Sequence, residues 1–124
     1  MPHKIFVGSY TNVISTLLFD PAADPPSLVV VGETPAGASP SWISFHPSDR
    51  STIIASNEQD DGKVLVFKVK EEELELVQTV DSGGQNPAHL WVGEHEVVAA
   101  NVSHTFILIS YRSNTHRSIV LERF

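Results

Sequence analysis

The stretch Pro40-Ser41-Trp42-Ile43-Ser44-Phe45, followed by Ile53-Ile54-Ala55-Ser56-Asn57, occurs twice in this chain in related form. The second copy reads Pro87-Ala88-His89-Leu90-Trp91-Val92, followed by Val97-Val98-Ala99-Ala100-Asn101. In each copy a proline opens a short strand, and a second apolar strand ends in small residues and an asparagine. The prolines are 47 residues apart and the asparagines 44. Repeats of this period are typical of propeller blades and solenoid units, which bury their apolar faces only against neighbouring units.

Short strand-like segments separated by turn residues fill the whole chain. They are residues 5–10, 13–19, 27–33, 41–45, 52–57, 63–69, 74–80, 88–92, 97–101, 105–111 and 118–122. Glu71-Glu72-Glu73 favours helix by propensity, but the period-two spacing after it favours an acidic turn and a strand. Many short strands predict an all-β sandwich, barrel or propeller, and the repeat favours the propeller.

The strands can be grouped in fours with the period of the repeat. Residues 13–19 then match 63–69 as third strands, and residues 27–33 match 74–80 as fourth strands. Residues 5–10 occupy the slot of 52–57, so the first blade lacks its first strand. We therefore predict β-propeller blades of four-stranded antiparallel sheets, with fewer than three blades present, whereas closed propellers have about four to eight.

Composition narrows the class of protein. The chain has 124 residues, 41% of them hydrophobic, so it can build a core, and its formal net charge of −7 disfavours nucleic acid and anionic membranes as partners. It has no cysteine, which excludes disulfides and thiolate metal sites. We recognise no signal peptide or membrane-spanning run, and we expect a cytoplasmic protein.

Several segments carry a family resemblance, in order and spacing. They are Val7-Gly8-Ser9-Tyr10-Thr11, Pro40-Ser41-Trp42-Ile43-Ser44-Phe45-His46-Pro47, Ala55-Ser56-Asn57-Glu58, Gly62-Lys63-Val64 and Gly83-Gly84-Gln85-Asn86-Pro87-Ala88-His89-Leu90. These resemble the VGTYT, PSWLAxHP, AVNE, GxV and GGxxPxHL motifs of the seven-bladed β-propeller lactonases, the family of bacterial 6-phosphogluconolactonases and their fungal relatives. The resemblance implies an incomplete seven-bladed propeller.

The resemblance ends near Asn101. Val102 stands where the family has tyrosine, and the tail to Phe124 carries no recognised family motif but holds Arg112, Arg117 and Arg123. We therefore expect two regions: residues 1–101 as a partial lactonase-type propeller of about two and a half blades, and residues 102–124 as a divergent strand-like tail. A prematurely ended gene model, a retained intron or a frameshift would give such a tail.

The resemblance also implies site residues. Opening a sugar lactone needs a base for water and a donor for the developing oxyanion. The resemblance points to Glu58 and His89 as catalytic groups, with Asn57 and Asn101 as substrate-binding groups. From the residues alone, Glu58 also fits a solvated turn acid, and His89 a hydrogen-bonded strand histidine.

No cofactor and no metal are expected. Glu58 would be the only charged oxygen ligand among the candidate site residues, and oxygen-rich sites for Ca²⁺ or Mg²⁺ use more. Trp42 and Trp91 both lie in predicted strands, and we expect them to pack between blades rather than to serve as stacking platforms for a sugar ring.

Three hypotheses follow for function. The first is a lactone hydrolase of the 6-phosphogluconolactonase type, acting by water attack on a sugar δ-lactone and impaired in a chain of this length. The second is a non-catalytic propeller fragment that self-assembles into a homo-oligomer through open blade edges. The third is a relative of the muconate-lactonising propellers, the carboxy-muconate cyclases. Whether the chain is itself an enzyme stays open.

Overall fold

Every regular element in the described part of the chain is a β-strand. The computed structural model describes residues 1–71, 73–103, 105–114 and 118–123. The strands are β1 (His3–Val7), β2 (Val13–Asp20), β3 (Ser27–Pro35), β4 (Trp42–Phe45), β5 (Thr52–Asn57), β6 (Lys63–Val69), β7 (Leu74–Asp81), β8 (Pro87–Val92), β9 (Glu96–Asn101), β10 (Thr105–Asn114) and β11 (Ser118–Arg123). All predicted strands are confirmed, with ends moved by at most three residues. The predicted acidic turn includes Glu72, and the arginine-containing tail includes Arg117; both residues lie outside the described ones.

The strands form three antiparallel sheets, each a meander. Sheet 1 has the order β1-β2-β3, sheet 2 the order β4-β5-β6-β7, and sheet 3 the order β8-β9-β10-β11. Repeated four-stranded meanders packed side by side are the architecture of a β-propeller, so the predicted fold class, a partial propeller, is confirmed. The predicted boundary at residue 101 falls between β9 and β10, which pair with each other inside sheet 3.

A shared irregularity shows which strands correspond. The pairing of β2 with β3 shifts register between Thr16 and Leu17, and the pairing of β6 with β7 shifts between Val66 and Phe67. Because the bulge follows the fourth residue of both β2 and β6, these two strands occupy the same position in their blades, and so do β3 and β7. β1 therefore corresponds to β5, the second strand of a blade. The edge of β1 that faces β4 borders two cavities of about 300 Å³ each.

Two apolar clusters join the three sheets. Sheet 1 packs on sheet 2 through Ile14, Ala36, Ile53, Ala55, Leu65, Phe67 and Leu74. Sheet 2 packs on sheet 3 through Ile54, Val64, Val66, Leu90, Val97, Ala99 and Ile109. Neighbouring residues of β5 point to opposite clusters, and all six of its residues are buried. This explains why its sequence is an uninterrupted run of apolar and small residues.

The asparagine that ends each repeat unit is buried between sheets. Asn57 is 2% exposed, and its Nδ2 donates to the carbonyl of Ala36 at 2.6 Å. Asn101 is 7% exposed; its Nδ2 donates to the carbonyl of Ser82 at 3.1 Å, and its Oδ1 accepts from the Ser82 hydroxyl at 2.8 Å. Ala36 and Ser82 are each the first residue after the last strand of the preceding sheet. Each asparagine therefore ties its own sheet to the linker that arrives from the sheet before it.

Glycines in the two linkers make room for these amides. A Cβ on Gly37 would lie 2.9 Å from the Asn57 Oδ1, and a Cβ on Gly84 would lie 2.8 Å from the Asn101 Cγ. Gly37 also has a φ of 69°, which side chains with a Cβ rarely adopt. A larger residue would displace the asparagine from the linker.

The residue before each repeat proline adopts the same unusual backbone. Ser39 and Asn86 have φ values of 52° and 53°. Ser39 donates to the carbonyl of Thr11 at 2.7 Å and accepts from the N–H of Glu58 at 2.9 Å. Asn86 makes the same two bonds, to the Gln59 carbonyl at 2.8 Å and from the Val102 N–H at 3.1 Å. Because the two sets of bonds match, Val102 occupies in sheet 3 the position that Glu58 occupies in sheet 2. Thr11 likewise matches Gln59, so Tyr10 occupies the corresponding position in sheet 1.

Replacing Asn57 by alanine should destabilise the chain. The Ala36 carbonyl would lose its buried donor, which costs about 1–3 kcal/mol. The free energy of unfolding is measured by urea denaturation. Asn12→Ala is the matched control, because Asn12 is exposed and contacts Ala36 from within sheet 1 through its backbone carbonyl, which the substitution keeps. Equal losses in the two variants would contradict the role given to the Asn57 side chain.

Candidate functional site

Glu58 directly follows β5, at the end of the sheets where the linkers enter. Its Oε2 accepts from the Ser41 hydroxyl at 2.5 Å and from the Tyr10 hydroxyl at 3.0 Å. Tyr10 lies in the β1–β2 loop of sheet 1, and Ser41 directly precedes β4 of sheet 2. Within the described part of the chain, the second carboxylate oxygen, Oε1, has no hydrogen-bond partner. Two hydroxyl donors therefore hold the Glu58 Oε2, and none of the described residues bonds the Oε1.

Glu58 and Tyr10 also interact electrostatically. The hydrogen bond to Glu58 raises the pKa of the Tyr10 phenol above its ordinary value, and the negative charge of Glu58 adds to this effect. A phenolate beside the carboxylate would be repelled, so the phenol keeps its proton and acts as a donor. Tyr10 therefore binds the Glu58 carboxylate as a neutral hydrogen-bond donor.

His89 lies on β8, the first strand of sheet 3, and its side chain is exposed. Leu90 beside it is buried in the core, so the two side chains occupy opposite faces of β8. The His89 imidazole meets the indole of Trp42 edge to face, with ring centroids 4.2 Å apart and planes at 86°. Trp42 begins β4, the first strand of sheet 2, and β8 packs against β4 and β5. The expected packing of Trp42 between blades is thus found, while Trp91 is 54% exposed.

The two predicted substrate-binding residues are engaged with the protein itself. The Asn57 and Asn101 side chains are buried and bind the preceding linker, as described above. Asn57 adjoins Glu58 in sequence, and Asn101 ends the strand next to β8. Their observed contacts are structural, and substrate binding by them stays a prediction.

Sequence reasoning missed Tyr10 and Ser41 as partners of Glu58. A signal for Tyr10 was available in the repeat itself. Aligning Val7-Gly8-Ser9-Tyr10 with Ala55-Ser56-Asn57-Glu58 places Tyr10 one blade before Glu58 at the same position. Ser41 gave no comparable signal, because its contact depends on how the linker turns into β4.

The opposite end of the sheets holds His46, which is 6% exposed. Its Nε2 lies 3.3 Å from the carbonyl of Glu94, and the Ser48 hydroxyl donates to the Glu94 carboxylate at 2.6 Å. Glu94 lies in the β8–β9 loop, so these contacts join sheets 2 and 3. His46 has a structural position, away from Glu58.

Two searches of the described residues were negative. Among them, no group of three or more histidine and acidic side chains is arranged to hold a metal ion. None of the described elements is a helix long and apolar enough to cross a membrane.

The fold and the site can now be compared with known proteins. The sequence model of the lactonase family, described as a seven-bladed β-propeller, matches residues 4–119. The chain therefore belongs to this lactonase family, which confirms the resemblance found in its motifs. A comparison with curated protein sequences gave no match.

Two crystal structures share the fold. A candidate 6-phosphogluconolactonase from Bacteroides fragilis NCTC 9343 superposes with a TM-score of 0.77 at 20% identity, over 96% of this chain and 34% of that one. One from Bacteroides uniformis ATCC 8492 gives a TM-score of 0.79 at 20% identity, over 96% of this chain and 36% of that one. The chain spans about a third of the length of these structures, and identity at this level establishes the fold alone.

Replacing Glu58 by glutamine should lower the pKa of Tyr10 towards its ordinary value of about 10, because the hydrogen bond to a charged carboxylate and the charge that opposes the phenolate are both removed. The measurement is tyrosinate absorbance against pH, with the Tyr10→Phe variant giving the contribution of Tyr111. Asp60→Asn is the matched control, since it removes a charge from the same loop without touching the bond. An unchanged Tyr10 titration in Glu58→Gln would show that the bond is not formed in solution.

Proposed function

We propose that this chain carries part of the site of a lactone hydrolase of the 6-phosphogluconolactonase type. Family membership supports the reaction class. The observation that carries the proposal is the Glu58 carboxylate, which Tyr10 and Ser41 fix through one oxygen while the other stays open. A base with this geometry is suited to taking a proton from water.

In the proposed reaction, Glu58 transfers protons and His89 stabilises the oxyanion. The water oxygen attacks the lactone carbonyl carbon as Glu58 Oε1 takes a water proton. The His89 imidazole donates a hydrogen bond to the carbonyl oxygen, which becomes negative in the tetrahedral intermediate. The bond between the carbonyl carbon and the ring oxygen then breaks, and the ring oxygen leaves as a hydroxyl with the proton returned by Glu58. The products are the open hydroxy acid and the resting carboxylate.

A phosphorylated substrate needs further groups. Phosphate recognition uses cationic side chains, most often arginine. We place these groups at ring positions outside the three sheets, because the chain spans only about a third of the matched structures. The chain by itself should therefore turn over little substrate.

The test is hydrolysis of 6-phosphogluconolactone by the purified 124-residue chain. We expect a rate little above that of spontaneous hydrolysis, with the excess removed in Glu58→Gln and in His89→Ala. Asp60→Asn is the matched control and should keep the excess, because Asp60 is exposed and lies outside the Glu58 bonds. Equal rates in the parent chain and Glu58→Gln would refute the base role of Glu58. A large excess would refute the expected impairment.

A second proposal concerns the outer faces of sheets 1 and 3. Ile5, Leu17 and Val30 align across sheet 1, with Ile5 40% and Val30 61% exposed. Trp91 and Val98 align on the face of sheet 3 that points away from sheet 2. Apolar sheet faces of this kind favour covering by another sheet. We propose that copies of this chain associate through these faces.

Light scattering on a sizing column measures the solution mass and tests this association. We expect a discrete dimer or trimer, because sheet 1 of one copy can cover sheet 3 of the next. Val30→Lys should shift the mass towards the monomer by placing a charge on the face. Glu73→Lys is the control, because it places the same positive charge on an exposed residue in the β6–β7 loop of sheet 2. A monomeric parent chain would rule the association out.

A further inference from the structure

The indole of Trp42 combines exposure with a fixed orientation. Trp42 is 38% exposed although it stands on the first strand of the middle sheet. The perpendicular imidazole of His89 covers at most one face of the indole. Part of the indole therefore stays accessible on the first strand of sheet 2, in contact with a candidate catalytic residue.

Polar groups lie close to Trp42, both along the chain and in direct contact. Ser41 precedes Trp42, and its hydroxyl bonds the Glu58 carboxylate at 2.5 Å. The indole itself contacts the His89 imidazole. A partly exposed indole in contact with an imidazole, one residue away from a hydroxyl that bonds a carboxylate, suits a ring with C–H groups on one side and hydroxyls around its rim. Binding sites commonly combine aromatic walls with a few placed polar groups in this way.

We propose that Trp42 forms the wall against which the ring of a polyhydroxylated sugar lactone lies. The inference rests on the proposed function for the class of substrate, and it adds a binding residue that the motifs did not assign. The contact orients the ring so that its carbonyl faces His89 and Glu58. Trp42 therefore contributes binding, and the proton transfers stay with the other two residues.

The two tryptophans of the chain provide the test. Trp91→Phe leaves Trp42 as the only indole, and Trp42→Phe leaves Trp91. Each variant is titrated with gluconolactam, the hydrolysis-resistant amide analogue of a sugar δ-lactone, and indole fluorescence is recorded. We expect a saturable change in the Trp42-only variant and none in the Trp91-only variant. A change in both variants, or in neither, overturns the inference.

A control ligand and a second pair of variants define the contact. δ-Valerolactam has the six-membered lactam ring without hydroxyls, and an equal response to it would overturn the assignment to polyhydroxylated rings. Gluconolactam binding is also measured by ligand-detected NMR. Trp42→Ala should weaken it by about tenfold, the order of one aromatic contact, and Trp91→Ala by less than about twofold. Thermal unfolding shows whether each variant is folded, and the Trp42-only titration stands without the alanine variants.

Hydrolysis in the same samples is a separate readout. Binding at Trp42 without any turnover dependent on Glu58 keeps this inference and rejects the hydrolase proposal. Turnover dependent on Glu58 that is unchanged in a folded Trp42→Ala variant rejects this inference and keeps the hydrolase proposal.

Discussion

The buried side-chain amides of Asn57 and Asn101 hold the three sheets in their arrangement. Each amide bonds the first linker residue after the preceding sheet, where water cannot replace a lost partner. The apolar clusters also join the sheets, through contacts that are not directional. The amide bonds are directional, so each ties its sheet to a defined point of the linker from the sheet before it.

The path of each linker follows from this bond. After Ala36 the chain passes over Asn57 at Gly37, turns at Ser39 and enters β4 through Pro40. The same turn places the Ser41 hydroxyl against the Glu58 carboxylate. A structural residue and a candidate catalytic residue are therefore neighbours in the chain: Asn57 bonds the linker carbonyl of Ala36, and Glu58 bonds the Ser41 hydroxyl. A change that moves the linker would move the carboxylate.

Both candidate catalytic residues are in contact with a residue of the preceding sheet. Tyr10 of sheet 1 bonds Glu58 of sheet 2, and Trp42 of sheet 2 contacts His89 of sheet 3. The position that carries Tyr10 and Glu58 carries Val102 in sheet 3, which can make neither bond. The three sheets thus share one backbone arrangement, and the residue at this repeated position differs from sheet to sheet, so each sheet makes different side-chain contacts there. The orientation of each group depends on correct packing of two sheets.

Alternation, turn residues and the 47-residue repeat predicted the strands and their grouping, and the motifs predicted the family, because all of these are patterns in the order of the residues. They also placed Glu58 at the end of a strand and His89 on the inner strand of a blade. What those residues touch depends on how the sheets pack. The bonds of Glu58 to Tyr10 and Ser41 join positions 48 and 17 residues apart, and the Trp42–His89 contact crosses two sheets. Such contacts depend on how the sheets pack against one another, and this packing, which includes the bonds of Asn57 and Asn101 to the linkers, brings together residues that are distant in sequence.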